Sequence, residues 1–367
     1  MVQTDSLKTL AVTVGIFFFA SNLSGIFLPI YYKDSGLSLL EILALLFFTF
    51  IVIGLLPFTL LKTVKNFEGV ISFGIFSTML FYIVLIFIKN PVILGLTYGL
   101  GIATFWPSFN LLQFRLSESK MRARTISIFS SVIPAIASVT GPATGGFIVQ
   151  NFGFTSLFIA AVVLYLIAFL FSLNMRFTPE TRRFSIPNST MFKVFFVTFI
   201  ILGLSESYWV AYPFFVLNVS GTVLNMGLIY AFSATIISAI TFVVSWFSDV
   251  RRTRVKFAVV GALLSASWYF CIAFSSTTYE VVALSLLSGL ASAFSISWFA
   301  HYGDSFGREY YASILVMMEM GLMIGRITNL APTYALISKG NYPSYFVLLG
   351  VVTLALVPVY HFIQKRK

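Results

Sequence analysis

Residues 42–57 read Ile42-Leu43-Ala44-Leu45-Leu46-Phe47-Phe48-Thr49-Phe50-Ile51-Val52-Ile53-Gly54-Leu55-Leu56-Pro57. With their flanks they form one apolar run from 38 to 61. About 20 such residues, coiled as a helix, cross ~30 Å of hydrocarbon. Lipid offers backbone groups no partner, so the run must satisfy its own hydrogen bonds as a helix. It does not alternate between apolar and polar residues, which excludes a barrel strand. Ser38 and Glu41 at its start read as a capping box.

Eleven further runs share this character: 9–32, 68–88, 91–114, 124–149, 154–174, 191–217, 222–246, 256–275, 279–301, 311–337 and 343–363. The expectation is an all-α integral membrane protein with twelve transmembrane helices. The first run is read as a span, since it is too long for a cleaved leader and others follow it. Composition agrees. The chain has 367 residues, of which 59% are hydrophobic and 10% charged, against ~25% charged in soluble domains. A cytosolic enzyme, a nucleic-acid binder and a disordered chain are excluded. One cysteine, Cys271, and two histidines, His301 and His361, make a disulfide framework or a histidine metal cluster untenable. No cofactor is expected.

The net charge of +11 is a matter of topology. All but four of the 23 Lys and Arg fall at the termini or near 62–68, 115–124, 175–193, 248–256 and 301–310. The exceptions are Lys33, Lys89 and Lys339 on the opposite side, and Arg326 inside a span. Basic loops stay in the cytoplasm, so both termini are expected there, which requires an even number of spans, and twelve fits. The loops leave no room for a soluble domain. No G-x-x-x-x-G-K-[ST] loop is present, which excludes hydrolysis of nucleotide within this chain.

The halves repeat. At an offset of 184, Ser21 meets Ser205, Pro29 meets Pro213, Ser38 meets Thr222 and Phe58 meets Phe242. Internal repeats that meet at a midplane site are a transporter architecture. The expected domains are a six-helix bundle over 1–175, a central cytoplasmic loop over 176–190, and a second bundle over 191–367.

Two motifs sharpen this. Gly141-Pro142-Ala143-Thr144-Gly145-Gly146 in the fifth span combines close-packing glycines with a proline that removes a helix hydrogen bond. Ser248-Asp249-Val250-Arg251-Arg252-Thr253-Arg254 sets an acid among bases at a helix end. Over essentially its whole length the chain resembles the major facilitator superfamily, whose antiporters carry G-P-x-x-G-G and whose loops carry G-x-L-a-D-r-x-G-r-r. The resemblance implies that Gly141, Pro142, Gly145 and Gly146 pack helices, and that Asp249, Arg251, Arg252 and Arg254 form gating salt bridges. It also departs from the family: Lys65 stands where the repeat of Asp249 would be, and the fourth span lacks the arginine of proton-driven drug exporters.

Ionisable groups inside spans are costly and need a reason. Glu206, Glu319 and Arg326 are three such groups. Glu319 and Arg326 are seven residues apart, on one helical face, with Asn329 continuing the stripe. Seven residues span ~10 Å, so Arg326 is expected to face Glu206 across the cavity instead. One acid then lacks a partner, and a carboxyl group in a dry cavity can bind and release a proton. Glu206 is the first candidate, with a static Glu206–Arg326 bridge as the competing reading. The resemblance places spans one, four, seven and ten around the cavity, which adds Asn22, Trp106, Asn110, Trp209, Tyr212 and Trp298. Aromatic rings beside amides suit an amphipathic organic solute. His301 reads as an interfacial residue.

The function expected is a secondary transporter in the cell membrane. It would move a small organic solute, amphipathic or cationic, by alternating access, with or without a proton. The alternatives are a facilitated-diffusion uniporter, and a transporter-fold protein that senses or assembles without transporting. A small-molecule substrate and the lipid bilayer are the expected partners, with no nucleic acid, and the chain is expected to act as a monomer.

Overall fold

A computed structural model describes residues 4–64, 66, 69–117, 119–175, 184–251 and 253–365. Arg252 and Lys65, along with most of the loop 176–190, lie outside the described residues. Among these there is helix and no strand. The helices are α1 Thr4–Ser24, α2 Leu28–Asp34, α3 Leu39–Thr63, α4 Val70–Phe87, α5 Pro91–Leu116, α6 Arg122–Ser127, α7 Ala135–Ser172, α8 Thr190–Leu204, α9 Ala211–Ser220 and α10 Val223–Arg251. After them come α11 Arg254–Ile272, α12 Thr278–Asp304, α13 Tyr311–Ile337, α14 Tyr342–Leu354 and α15 Leu356–Lys365.

Ten stretches are long and apolar enough to cross a membrane. Twelve crossings follow once two irregularities are read. The first is a continuous helical stretch, Arg122–Ser172, of 51 residues, far longer than a bilayer is thick. It reverses at Gly153, whose φ of 80° suits glycine best. Packing traces the reversal. Gly141 and Gly145 meet Asn22 and Leu23 of α1 going one way. On the return Phe158 meets Tyr31, and then Tyr165 meets Phe17. The second is the seventh span, which is broken into α8 and α9 by the non-helical segment 205–210.

The repeat is visible in local geometry. The first span also breaks, at a 3₁₀ turn over Gly25–Phe27, which the 184-residue offset places over 209–211. Both short helices that follow end at a glycine of positive φ, Gly36 and Gly221. Beyond each, a hydroxyl caps the next helix. Ser38 accepts from the Glu41 N–H at 3.3 Å within the expected capping box, and Thr222 accepts from the Asn225 N–H at 3.2 Å.

The two halves meet along two seams, α7 on α10 and α3 on α13. The glycine–proline hexapeptide makes the first. Across it, a Cβ on Gly146 would strike the backbone of Val223 and Leu224, and one on Gly227 the Pro142 carbonyl, while one on Gly145 would strike the Leu23 carbonyl of α1 in the same half. Within the second half, a Cβ on Gly325 would strike the Ile200 carbonyl and one on Gly203 the Leu322 carbonyl, so α8 and α13 are in backbone contact.

Candidate functional site

The segment 205–210 leaves backbone groups that lipid cannot satisfy, and α13 and α11 satisfy them. Asn329 Nδ2 donates to the Glu206 carbonyl at 2.7 Å, and Tyr269 OH donates to the Ser205 carbonyl at 2.5 Å. Asn329 is held in turn by Tyr345 OH at 3.1 Å, which also meets Thr333. A break in a midplane helix costs stability unless neighbours support it, so this support marks a place where the fold needs the break.

The break aims Glu206 at α13. Arg326 Nε and Nη2 donate to its carboxylate at 2.7 and 2.9 Å, and Trp209 Nε1 donates to Oε2 at 2.5 Å. The Arg326 guanidinium also lies over the rings of Trp209 and Phe50. A fork-to-carboxylate pair of this kind is strong and directional. Arg326 thus meets Glu206 in a direct interhelical bridge inside the second half, and not across the cavity as expected. Glu319 stands 3.6 Å from Arg326 Nη1, a looser contact than the pair with Glu206. The stripe Glu319, Arg326 and Asn329 is buried as one face of α13. The geometry reverses one expectation. The acid left without a tight partner is Glu319, not Glu206, because the broken seventh span delivers Glu206 straight onto the guanidinium.

A cavity of about 760 Å³ opens between the halves. Its walls include Asn22, Trp106, Asn110, Trp209, Glu319 and Arg326 of the residues expected there. Glu206 is set behind Arg326 and Trp209, lining a much smaller void with Phe50, Asn329 and Tyr345. Tyr212 and Trp298 lie outside the cavity lining. Tyr212 packs edge-on to Tyr230 and Trp268. Trp298 is buried against Phe195 and Tyr360. His301 is buried beside Phe195 and Trp298 in the last turn of α12. The placing of Tyr212 and Trp298 follows from helical rotation, which a family position does not fix to better than a face.

The cavity also has walls that sequence reading passed over: Tyr98, Gln113, Ser130, Tyr208 and Tyr230. Tyr208 is two residues on from Glu206, and its polar tip was the available signal. Ser130 enters through a π-helical turn over Ile128–Val132, which no sequence period announces.

At the arginine-rich end the halves are joined by charge. Asp249 is buried, pairs with Arg254 at 2.8 Å, and accepts the backbone N–H groups of Ala123 and Arg124 at 3.2 and 2.9 Å. Asp304 pairs with Arg122 at 2.8 Å and with Arg254. Arg122 also donates to Tyr311 OH at 2.6 Å. Asp249 and Arg254 thus act in the interhelical bridge, joined by Arg122 and Asp304, which sequence reading did not single out. Arg251 instead rests over the Phe247 ring. At the other end, α2 touches α9, with Lys33 over Phe214.

Twelve crossings in two repeated halves around one polar-lined cavity define a transporter fold. The family model of the Major Facilitator Superfamily matches residues 9–191 and 194–367, so the chain belongs to that superfamily. It is 23% identical over 354 residues to the Bacillus subtilis protein YqgE, covering 86% of this chain and 79% of that one. Over 123 residues it is 29% identical to the methylenomycin A resistance protein of Streptomyces coelicolor, covering 32% of this chain and 26% of that protein. The fold matches the human organic anion transporter MFSD10 with a TM-score of 0.69 at 11% identity, covering 96% of this chain and 99% of that one. It matches the Escherichia coli fucose:proton symporter FucP with a TM-score of 0.69 at 14% identity, covering 99% of each chain.

Proposed function

We propose that this chain is a secondary transporter that moves a small organic solute, cationic or amphipathic, in exchange with or alongside a proton. One observation carries the reading: a single guanidinium, Arg326, stands between two carboxylates, and the looser of the two, Glu319, faces the shared cavity. With all three groups ionised the cluster carries one net negative charge. A proton or a cationic solute neutralises it, and competition between the two couples their movements. Glu206 fixes Arg326, and Arg326 sets the field at Glu319.

The same reading takes residues 1–175 and 191–367 as bundles that rock about the cavity, linked by the loop 176–190. Both termini are cytoplasmic in a cell membrane, and the chain works as a monomer. The Asp249–Arg254–Asp304–Arg122 network is then the cytoplasmic gate, closed in this conformation. The partial relative named for methylenomycin A resistance and the fold neighbour named a proton symporter both support transport of this kind.

The test is proteoliposomes with a pH-sensitive dye inside. Glu319→Gln is expected to abolish solute-driven proton movement and keep solute exchange. Proton movement that survives Glu319→Gln removes this assignment.

A further inference from the structure

Beside the central cavity lies a second chamber of about 220 Å³, between α1, the π-helical turn, α7 and α10. The two spaces share Asn22, Ile26, Ser130 and Tyr230 as walls, so they adjoin. The chamber differs from the cavity in chemistry. Ser131, Ser138 and Ser238 add hydroxyls to Ser130, and no acid or base lines it. The π-helical turn inserts an extra residue into its helix, and such turns gather at functional sites. Here it brings the adjacent Ser130 and Ser131 to the same chamber.

Two buried polar atoms have no hydrogen-bond partner in the protein: Tyr230 OH on the shared wall, and Oε1 of Gln113, which lines the central cavity alone. Gln113 is 2% exposed, and its amide nitrogen donates to Ser130 Oγ at 2.8 Å. That bond leaves the carbonyl oxygen as an open acceptor. Buried polar groups are ordinarily paired, so an orphan donor–acceptor on the shared wall, and an orphan acceptor on the side chain that bonds Ser130, mark where a ligand's groups belong. An apolar ligand would leave both orphan atoms unpaired, and a charged one would find no counter-ion among the residues that line the chamber.

We infer that this chamber is a second compartment of the substrate site, which takes the uncharged, hydroxyl- or amide-bearing end of a solute whose cationic end sits beside Glu319. The inference rests on the proposed transport reading and adds the substrate class. Together the two spaces fall within the roughly 300–1,000 Å³ typical of small-molecule sites.

Two probes separate the compartments: glucosamine, a hydroxyl-rich cation, and tetraphenylphosphonium, a cation with no hydrogen-bonding groups. Binding is read by thermal stabilisation of the full chain in nanodiscs. The variants are Tyr230→Phe and the double variant Ser131→Ala with Ser238→Ala. Each is expected to weaken glucosamine relative to tetraphenylphosphonium by about tenfold, the scale of one or two lost hydrogen bonds. Because Tyr230 OH has no protein partner, the unliganded Tyr230→Phe protein is expected to melt no lower than wild type, so a folding defect does not imitate the result. If tetraphenylphosphonium binds and glucosamine does not, or if both weaken equally, the second compartment is overturned and the transport reading stands. If neither cation binds and Glu319→Gln leaves proton movement intact, the assignment of Glu319 falls and the compartment with it; if neither cation binds and the wild type moves no protons, the transport reading itself falls.

Discussion

Glu206 shows how one side chain organises a neighbourhood. Its carboxylate takes three donors, its own carbonyl takes Asn329, and the residue before it is held by Tyr269. Removing one partner of a buried pair leaves a charge without compensation, which costs about 3 kcal/mol or more. Glu206→Gln is therefore expected to lower the melting temperature of the purified protein by several degrees. Glu319→Gln is expected to lower it little or not at all, since that contact is loose. A reversed ranking in a melting series would contradict the geometry. Of this site, the identities Glu206, Arg326 and Asn329 were legible, because charge and amide inside apolar runs need partners. Which acid remained open was not legible. That depends on where the seventh span unwinds, and its unwinding is set by partners on α11 and α13 that lie far along the chain.

At the scale of helices, glycine decides what can touch. The α8–α13 contact runs backbone to backbone at Gly203 and Gly325. A methyl group at Gly325 has to displace the Ile200 carbonyl, and overpacking of this kind costs ~1–3 kcal/mol. Gly325→Ala is expected to destabilise the protein by that amount in thermal melting, and a neutral effect would mean the two helices are less tightly apposed. The G-x-x-x-G of Gly321 and Gly325 was readable as packing from its spacing alone. So was the hexapeptide from Gly141 to Gly146, which seats α7 against α1 and α10. The π-helical turn and the packing of Trp298 and Tyr212 away from the cavity lining were not, because a helix's rotation about its axis is fixed by neighbours and its sequence is apolar nearly all round.

For the molecule as a whole, the arginine-rich end is bound by groups from both halves, and the cavity lies beyond it. Arg122 and Arg124 come from the first half, while Asp249, Arg254 and Asp304 come from the second. Asp249→Asn weakens the ion pairs on both sides of that interface at once. The variant is expected to populate the opposite-facing state. In a Cys271→Ser background, a cysteine placed at Ser130 should then react faster with a water-soluble maleimide added from the basic side. An unchanged rate would mean that this network does not control the opening. Twelve spans and a twofold repeat were legible from hydropathy and the 184-residue register, since lipid forces helices and arginine forces sidedness. The ion-pair network was half legible, through Asp249 and Arg254, whereas Arg122 and Asp304 looked like ordinary loop charges.

The break in the seventh span also has a bearing on how the chain is made. Its two pieces, 15 and 10 residues long, are each too short to span a bilayer, and they are joined by a carboxylate and open carbonyls. The partners for those groups emerge from the ribosome much later, Arg326 being 120 residues and Asn329 123 residues further on. Until then the apolar run 191–217 can cross only as an unbroken helix with its carboxylate unpaired. The folded form of the seventh span is therefore expected only once the eleventh has arrived.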